Sequence, residues 1–260
     1  MEEFLSVVCG RKVEKIGAAT LLELAHWYQA VLVDLGTGDG RWLYRVARVR
    51  PEVLCVGIDA NADAMREVSY RAARKAARGG LPNVRFIAAA VESLPAGLLE
   101  MADEIWVSYP WGSLLRAVAA PDLNVLRGVV EILKPRGVLR AAVNESVFEQ
   151  PGVLRRLGLP SRPFPEVVDA LRAGYNEAGL NVTTWRSDAA KIRSSWAGRL
   201  GQGAGARTLW LEAVKDGGGL RTVDLGGDAT TSEFTEGVIA RVRAWLNDQA
   251  DPRSHPQRRR

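Results

Sequence analysis

Apolar runs of strand length alternate with helical patterns along the first 215 residues of the chain. The first such run, residues 31–33, ends in Asp34 and is followed by three glycines at alternate positions, Gly36, Gly38 and Gly40. This pattern predicts a buried strand that turns sharply into a helix. Six further runs predict strands at 53–58, 84–88, 103–109, 138–143, 181–186 and 208–214.

The alternation of strands and helices predicts an α/β fold with a seven-stranded Rossmann-like sheet, preceded by a short N-terminal hairpin near residues 4–16. Residues 145–165 are rich in Pro, Gly and Arg and predict a long loop beside the ligand site. From residue 216 onward, glycine-rich segments precede a single amphipathic helix. We therefore expect one domain, residues 1–215, and a C-terminal extension, residues 216–260, that is partly disordered.

A second acid, Asp59, closes the second predicted strand as Asp34 closes the first. In a doubly wound sheet a ligand lies across the carboxyl ends of adjacent strands, so Asp59 can accept hydrogen bonds from both hydroxyls of a ribose. The two acids would then flank one nucleoside. The competing interpretation is a glycine that caps one helix and an aspartate that caps the next.

This pair of motifs resembles the first two motifs of the S-adenosylmethionine-dependent methyltransferases, whose glycine turn leaves room for the amino-acid part of the cofactor. The spacing Gly-x-Gly-x-Gly also differs from the Gly-x-Gly-x-x-Gly of dinucleotide sites. The resemblance implies a class I methyltransferase fold with S-adenosylmethionine as cofactor. It implies cofactor contacts from Asp34, Gly36, Thr37, Gly38 and Asp59.

The composition is that of a folded protein with a full core, since 47% of its 260 residues are hydrophobic. No apolar run reaches about 18 residues, and the start Met1-Glu2-Glu3 lacks the form of a signal peptide. We therefore expect a cytoplasmic protein without a membrane partner, and a monomer. Cys9 and Cys55 lie in apolar runs and predict small buried side chains. With two histidines, a His-rich metal site is excluded, and no metal is expected.

A helix predicted at 62–78 carries a row of basic residues at the spacing i, i+3, i+4 and i+7, which puts four positive charges on one face. The row consists of Arg71, Arg74, Lys75 and Arg78. A charged row is usually a solvated surface. Because the helix leads into the loop 79–82, which we expect at the ligand-binding edge, and because the net charge is +5, we predict contacts to nucleic-acid phosphates.

Two further segments follow predicted strands. Val91 and Glu92 come after the third strand, where Glu92 can accept a hydrogen bond from the amine of an adenine in the cleft. The alternative for Glu92 is an acid in the first turn of a helix. Ser108 lies at the end of the fourth strand and leads into Pro110 and Trp111, and we expect the substrate to bind there.

Five sequence blocks together resemble the aminoglycoside-resistance 16S rRNA (adenine-N1)-methyltransferases of the Kam/Npm type, which modify adenine 1408 in the ribosomal decoding site. The resemblance covers about residues 5–214. The blocks are Asp34 to Gly40, Gly79 to Asn83, Glu92 to Pro95, Pro110 to Leu115, and Ser194-Ser195-Trp196 with Arg199.

The family resemblance implies 16S rRNA of the 30S subunit as the partner, and a target adenine flipped out of the RNA and held between Trp111 and Trp196. It implies that Arg199 and Arg207 grip the flipped nucleotide. Arg207 stands alone after a glycine-rich segment, where the family has a basic cluster. The expected cofactor contacts on this side of the site are Val91, Glu92, Ser108, Trp111, Ser194 and Trp196.

Two other functions remain open. The same fold can methylate another RNA position or a small molecule, or the chain can be a non-catalytic RNA-binding factor that keeps a methyltransferase-like fold. The basic row argues against a small substrate, and the retention of Asp34, Asp59 and the three glycines argues against a non-catalytic factor.

Overall fold

The computed structural model of the chain describes residues 3–158, 164–188 and 207–217, which all belong to one compact unit, Met1–Gly218. The strands are β1 (Phe4–Cys9), β2 (Lys12–Gly17), β3 (Ala30–Leu35), β4 (Val53–Asp59), β5 (Val84–Ala88), β6 (Ala102–Ser108), β7 (Leu133–Asn144), β8 (Leu180–Asp188) and β9 (Thr208–Lys215). The helices are α1 (Ala18–Ala25), α2 (Arg41–Val49), α3 (Arg66–Ala72), α4 (Gly112–Ala119), α5 (Leu123–Ile132), α6 (Pro151–Leu157) and α7 (Phe164–Glu177).

The described strands form one mixed sheet of nine strands in the order β2-β1-β5-β4-β3-β6-β7-β9-β8. Strands β3 to β7 are parallel to one another, and antiparallel pairs extend the sheet at both sides. The predicted count of seven strands is wrong because the hairpin β1–β2 does not stand apart from the sheet. It pairs with β5 at Val7 and Ile87 and so covers what would otherwise be an exposed sheet edge.

Both faces of the central sheet are covered, which is why the central strands are apolar at consecutive positions. All of β4 except Asp59 is buried. Side chains of α1, α4, α5 and α7 pack on one face, and those of α2 and α3 on the other. No helix in the described part of the chain combines the length and the apolar character needed to cross a bilayer.

The helix predicted at 62–78 is much shorter in the structure. Helix α3 ends at Ala72, and the backbone N–H groups of Gly80 and Leu81 donate to the carbonyls of Lys75 (3.1 Å) and Ala72 (2.9 Å). The chain thus folds back on itself, and Ala76–Arg78 form a separate 3₁₀ turn. The prediction that Arg71, Arg74, Lys75 and Arg78 share one helical face is therefore wrong, since Arg71 alone lies in α3.

The position predicted for the loop 79–82 is also wrong. This loop precedes β5, which runs parallel to β4, so it lies at the edge where the parallel strands begin and not at the edge where Asp59 lies. The Asn83 side chain holds it there by donating to the carbonyls of Ala47 (2.9 Å), Arg50 (3.0 Å) and Val53 (3.0 Å).

The prediction of a loop over residues 145–165 is wrong in its first part, which contains a 3₁₀ turn at Glu145–Phe148 and then α6. Pro151 at the start of α6 and Gly158 just after its end are the usual residues at those positions. Residues 189–206 lie outside the described residues. The same holds for residues 218–260 of the expected extension.

Candidate active site

A cleft of about 390 Å³ opens where β3, β4 and β6 end. After β3 the chain adds β4 and β5 on one side and then crosses to β6 on the other, and such a switch point is where ligands bind in α/β sheets. The cleft volume lies in the range typical of small-molecule sites. It is lined by Leu35, Gly36, Gly38, Ile58, Asp59, Ala60, Asn61, Ala64, Ala89, Val91, Glu92, Ser108, Tyr109, Pro110, Trp111, Ser113 and Leu114.

The turn after β3 requires glycine, both because of its backbone conformation and because of the neighbouring side chains. Gly36 has φ +75°, and a Cβ atom there would lie 2.7 Å from Cδ2 of Leu114. Gly40 has φ +65°, and its Cβ would lie 2.4 Å from Cε1 of Phe86. Larger residues would therefore fill the floor of the cleft or push α2 away from the sheet.

Asp59 is fixed on the wall of the cleft by two backbone donors. Its Oδ2 accepts from the N–H of Gly38 at 2.8 Å, and its Oδ1 accepts from the N–H of Asn61 at 2.8 Å. Each carboxylate oxygen has capacity for a further donor. The side chain thus presents two oriented acceptors to the cleft, as a pair of ribose hydroxyls requires.

Asp34 lies beneath the glycine turn and does not line the cleft. It is 3% exposed, and Thr37, also buried, donates its hydroxyl to Asp34 Oδ2 at 2.6 Å. Burial raises the pKa of Asp34 to about 7, because the low-dielectric interior disfavours the charged form; Asp59 and Asp39 also raise it, and the Thr37 hydrogen bond opposes the shift. A cation bound in the cleft would favour the ionised form.

The segment after β6 has an unusual backbone. Tyr109 has φ +50° and Gly112 has φ +58°, so two residues in the left-handed region flank Pro110 and Trp111. Tyr109 is held there because its N–H donates to Ala142 (2.7 Å). The buried Tyr109 hydroxyl also shares a 2.9 Å hydrogen bond with the hydroxyl of Thr208. This turn projects Trp111, which is 53% exposed, at the mouth of the cleft.

Glu92 lies in a single 3₁₀ turn, Val91–Ser93, on the cleft wall. A hydrogen bond with the Ser113 side chain, followed by one with the backbone, lowers the pKa of its carboxyl group. Glu92 is therefore an ionised acceptor at neutral pH.

The structure brings together seven of the residues predicted from sequence: Gly36, Gly38, Asp59, Val91, Glu92, Ser108 and Trp111. Arg207 lies outside the cleft, at the start of β9, where its Nε is 3.3 Å from Oε2 of Glu145. Ser194, Trp196 and Arg199 lie outside the described residues.

The other ten lining residues are not among the site residues predicted from sequence: Leu35, Ile58, Ala60, Asn61, Ala64, Ala89, Tyr109, Pro110, Ser113 and Leu114. Asn61 and Ser113 follow the predicted motifs within two residues, so proximity to a strand end is the signal that could have found them. The three alanines and Leu114 carry no chemical signal, since they contribute shape and not polarity.

The chain is similar over most of its length to proteins of known activity. Residues 6–215 match the family model NpmA, described as 16S rRNA (adenine(1408)-N(1))-methyltransferase. A relative of that description from Streptoalloteichus hindustanus is 36% identical over 198 residues, which cover 74% of this chain and 90% of the relative.

Solved structures that are similar to this chain include methyltransferases. One is a tryptophan-to-alanine variant of the 16S rRNA (adenine(1408)-N(1))-methyltransferase from Catenulisporales acidiphilia with its cosubstrate SAM. It is 36% identical, with a TM-score of 0.76, and the match covers 84% of this chain and 100% of that chain. The aminoglycoside resistance methyltransferase NpmB1 is 35% identical with a TM-score of 0.72, over 81% of this chain and 99% of that chain.

Proposed function

Because the chain belongs to the NpmA family of 16S rRNA (adenine(1408)-N(1))-methyltransferases, we propose that it transfers a methyl group from S-adenosylmethionine to N1 of adenine 1408 in 16S rRNA. One observation carries the proposal. The family match over residues 6–215 coincides with a cleft that has Asp59 at the tip of β4 and an exposed tryptophan, Trp111, just after β6.

The residues of the cleft fit S-adenosylmethionine. Ser108 Oγ is buried and has no hydrogen-bond partner among the described residues, so a ligand can supply one. Asp59 offers acceptors to the ribose hydroxyls, and Glu92 offers one to the amine of the cofactor's adenine. Asp34 is buried beneath the glycine turn, accepts a hydrogen bond from Thr37 and does not itself line the cleft. When bound, S-adenosylmethionine supplies a methyl group on a positively charged sulfur.

We assign to Trp111 one face against which the flipped target base stacks. Tryptophan is usually well buried, and its exposure at the mouth of a cleft is better explained by a ligand than by the core. The base becomes a cation as its N1 is methylated, and an indole face stabilises a desolvated cation by about 1–2 kcal/mol. Trp196 is proposed as the second face, and Arg199 and Arg207 as the groups that grip the nucleotide.

The reaction needs no general base. N1 of neutral adenine carries a free lone pair, so no proton has to leave before the new bond forms. The two acids on the cleft wall, Asp59 and Glu92, are engaged in hydrogen bonds with the protein, and we assign neither a proton-transfer role. The protein contributes alignment of the base and exclusion of water.

The partner that we propose is the assembled 30S subunit, which a monomer of the enzyme meets in the cytoplasm. The basic residues Arg71, Arg74, Lys75 and Arg78 are all exposed and are proposed to contact rRNA phosphates. Since they lie near the end of α3 that is remote from Asp59, these contacts involve a part of the RNA away from the target base.

The test is reverse transcription of 16S rRNA from cells that express the protein. A methyl group on N1 of adenine blocks base pairing, so the reverse transcriptase stops at the modified position. We expect a stop at adenine 1408 with the parent, and resistance to aminoglycosides that hydrogen-bond this adenine. Trp111→Ala should reduce methylation by more than about tenfold, since stacking on an aromatic side chain is worth about 1–3 kcal/mol per base.

The matched control is Trp27→Ala, because Trp27 is 86% exposed and precedes β3, at the opposite edge of the sheet. This variant should methylate like the parent. Both variants should melt near the parent temperature, since neither removes a buried side chain. If the parent protein leaves adenine 1408 unmodified, the proposed function is wrong. If the Trp111→Ala variant keeps full activity, Trp111 is not part of the site that binds the base.

A further inference from the structure

Tyr109 has a backbone conformation that residues of its type rarely adopt. Its φ is +50°, although it is not a glycine and although it precedes Pro110, and the residue before a proline normally has an extended backbone. In the described ranges Glu100 and Arg136 also have a positive φ, but both are exposed. Tyr109 is buried. Strained backbone of this kind persists only where the surrounding structure holds it, and it concentrates at active sites and ligand clamps.

Two hydrogen bonds hold Tyr109, one at its backbone and one at the end of its side chain. The N–H donates to the carbonyl of Ala142 in β7 at 2.7 Å, and the hydroxyl shares a 2.9 Å hydrogen bond with the hydroxyl of Thr208. The ring between them belongs to the apolar cluster that also contains Ala142 and contacts Trp106. The turn that carries Trp111 therefore cannot relax to a more ordinary backbone without breaking one of these bonds.

Thr208 lies where the other part of the proposed base site joins the sheet. Strand β8 ends at Asp188 and β9 begins at Thr208, and these two residues face each other in the antiparallel pair. The residues between them in the chain include Trp196, Arg199 and Arg207. The bond between Tyr109 and Thr208 thus joins the Trp111 turn to the strand ends that flank the other proposed contacts to the base.

We propose that Tyr109 is a positioning residue for methyl transfer, whose hydroxyl acts through Thr208 to fix Trp111 relative to the ends of β8 and β9. A face that stacks on the base sets the position of N1 relative to the methyl group, and the rate falls steeply when reacting atoms are misplaced. Loss of the hydroxyl leaves the ring in its cluster but releases the turn. This proposal rests on the proposed function, since it takes the target base as the ligand of Trp111.

The test is steady-state methylation of purified 30S subunits at saturating S-adenosylmethionine. Tyr109→Phe and Thr208→Val should each lower kcat by at least about fivefold and leave KM for the subunits within about twofold, because alignment matters more in the transition state than in binding. The double variant should be no slower than the slower single variant, since both remove the same bond. Thr208→Ser keeps the hydroxyl and should retain the parent kcat.

The matched control is Tyr175→Phe. The Tyr175 side chain is fully buried and donates its hydroxyl to the carbonyl of Val118 at 3.0 Å, and neither residue lines the cleft. This variant also loses a buried tyrosine hydrogen bond, so its melting temperature should fall as that of Tyr109→Phe does. At a temperature where all variants are folded, it should keep the parent kcat.

The outcomes separate this inference from the proposed function. If the parent fails to methylate adenine 1408, the proposed function fails, and this inference fails with it. If the parent methylates and Tyr109→Phe keeps the parent kcat, this inference alone is overturned. An equal loss of kcat in Tyr175→Phe would also overturn it, because general destabilisation would then explain the effect. A raised KM with the parent kcat would overturn it as well, since the bond would then serve binding and not alignment.

Discussion

Replacement of Asp34 by Asn should stabilise the ligand-free protein at neutral and alkaline pH. The Asp34 carboxyl group is buried, and its pKa is raised to about 7, whereas the ordinary value that applies to the unfolded chain is 3.8. Between these values the folded protein binds more protons than the unfolded chain. The stability of the parent must therefore fall as the pH rises through this window, and the full stability is present below about pH 4.

The magnitude follows from the two pKa values. Each pH unit between 3.8 and about 7 reduces the free energy of unfolding by about 1.4 kcal/mol, which gives about 4 kcal/mol in total by pH 8. Asn is neutral throughout this range, and its carbonyl oxygen can accept the Thr37 hydroxyl that now donates at 2.6 Å. The free energy of unfolding of the variant therefore does not fall in this way. The difference in stability between the variant and the parent should increase with pH.

The assay is urea unfolding of the ligand-free protein at pH 5.5, 6.5, 7.5 and 8.5. Asp63→Asn is the control, since Asp63 is exposed and pairs with Arg66 at 2.6 Å. Its difference from the parent should be small and constant over these pH values. If the difference between Asp34→Asn and the parent is equally constant, Asp34 is ionised throughout, and the argument from burial is wrong.

Three further predictions concern the cleft. Asp59→Ala should lower the affinity for S-adenosylmethionine by more than about tenfold in calorimetry, since hydrogen bonds to a charged group are worth about 1.5–3 kcal/mol; parent affinity would remove Asp59 from the site. Gly36→Ala should lower both the melting temperature and cofactor affinity because of its positive φ and its close neighbour, whereas Gly128→Ala, with open space around it, should not; equal effects would contradict the steric argument. Tyr109→Phe and Thr208→Val each remove one side of a buried hydrogen bond and should each cost about 1–3 kcal/mol of stability, with the double variant no worse than either single; additive losses would show that the two hydroxyls act independently.

The sequence by itself determined the local elements around the ligand. The strands predicted at 53–58 and 84–88 are confirmed as β4 and β5. A short apolar run between turn residues is compatible with few structures other than a buried strand. The position of Asp59 at a strand end and the turn at Gly36 follow from the same local pattern. Family motifs in the sequence also identified seven of the lining residues, since these residues lie at strand ends or within four residues after them.

Only the tertiary structure decided the features that depend on contacts between distant residues. The hairpin joined the sheet because β5 offered an unpaired edge to β1, and no pattern within residues 4–16 encodes that partner. The alanine-rich segment after Asp59 favours a long helix, yet α3 ends at Ala72 because the chain must return to start β5. The raised pKa of Asp34 also depends on the tertiary structure. A carboxyl group keeps its proton near neutral pH only when the folded protein has removed it from water.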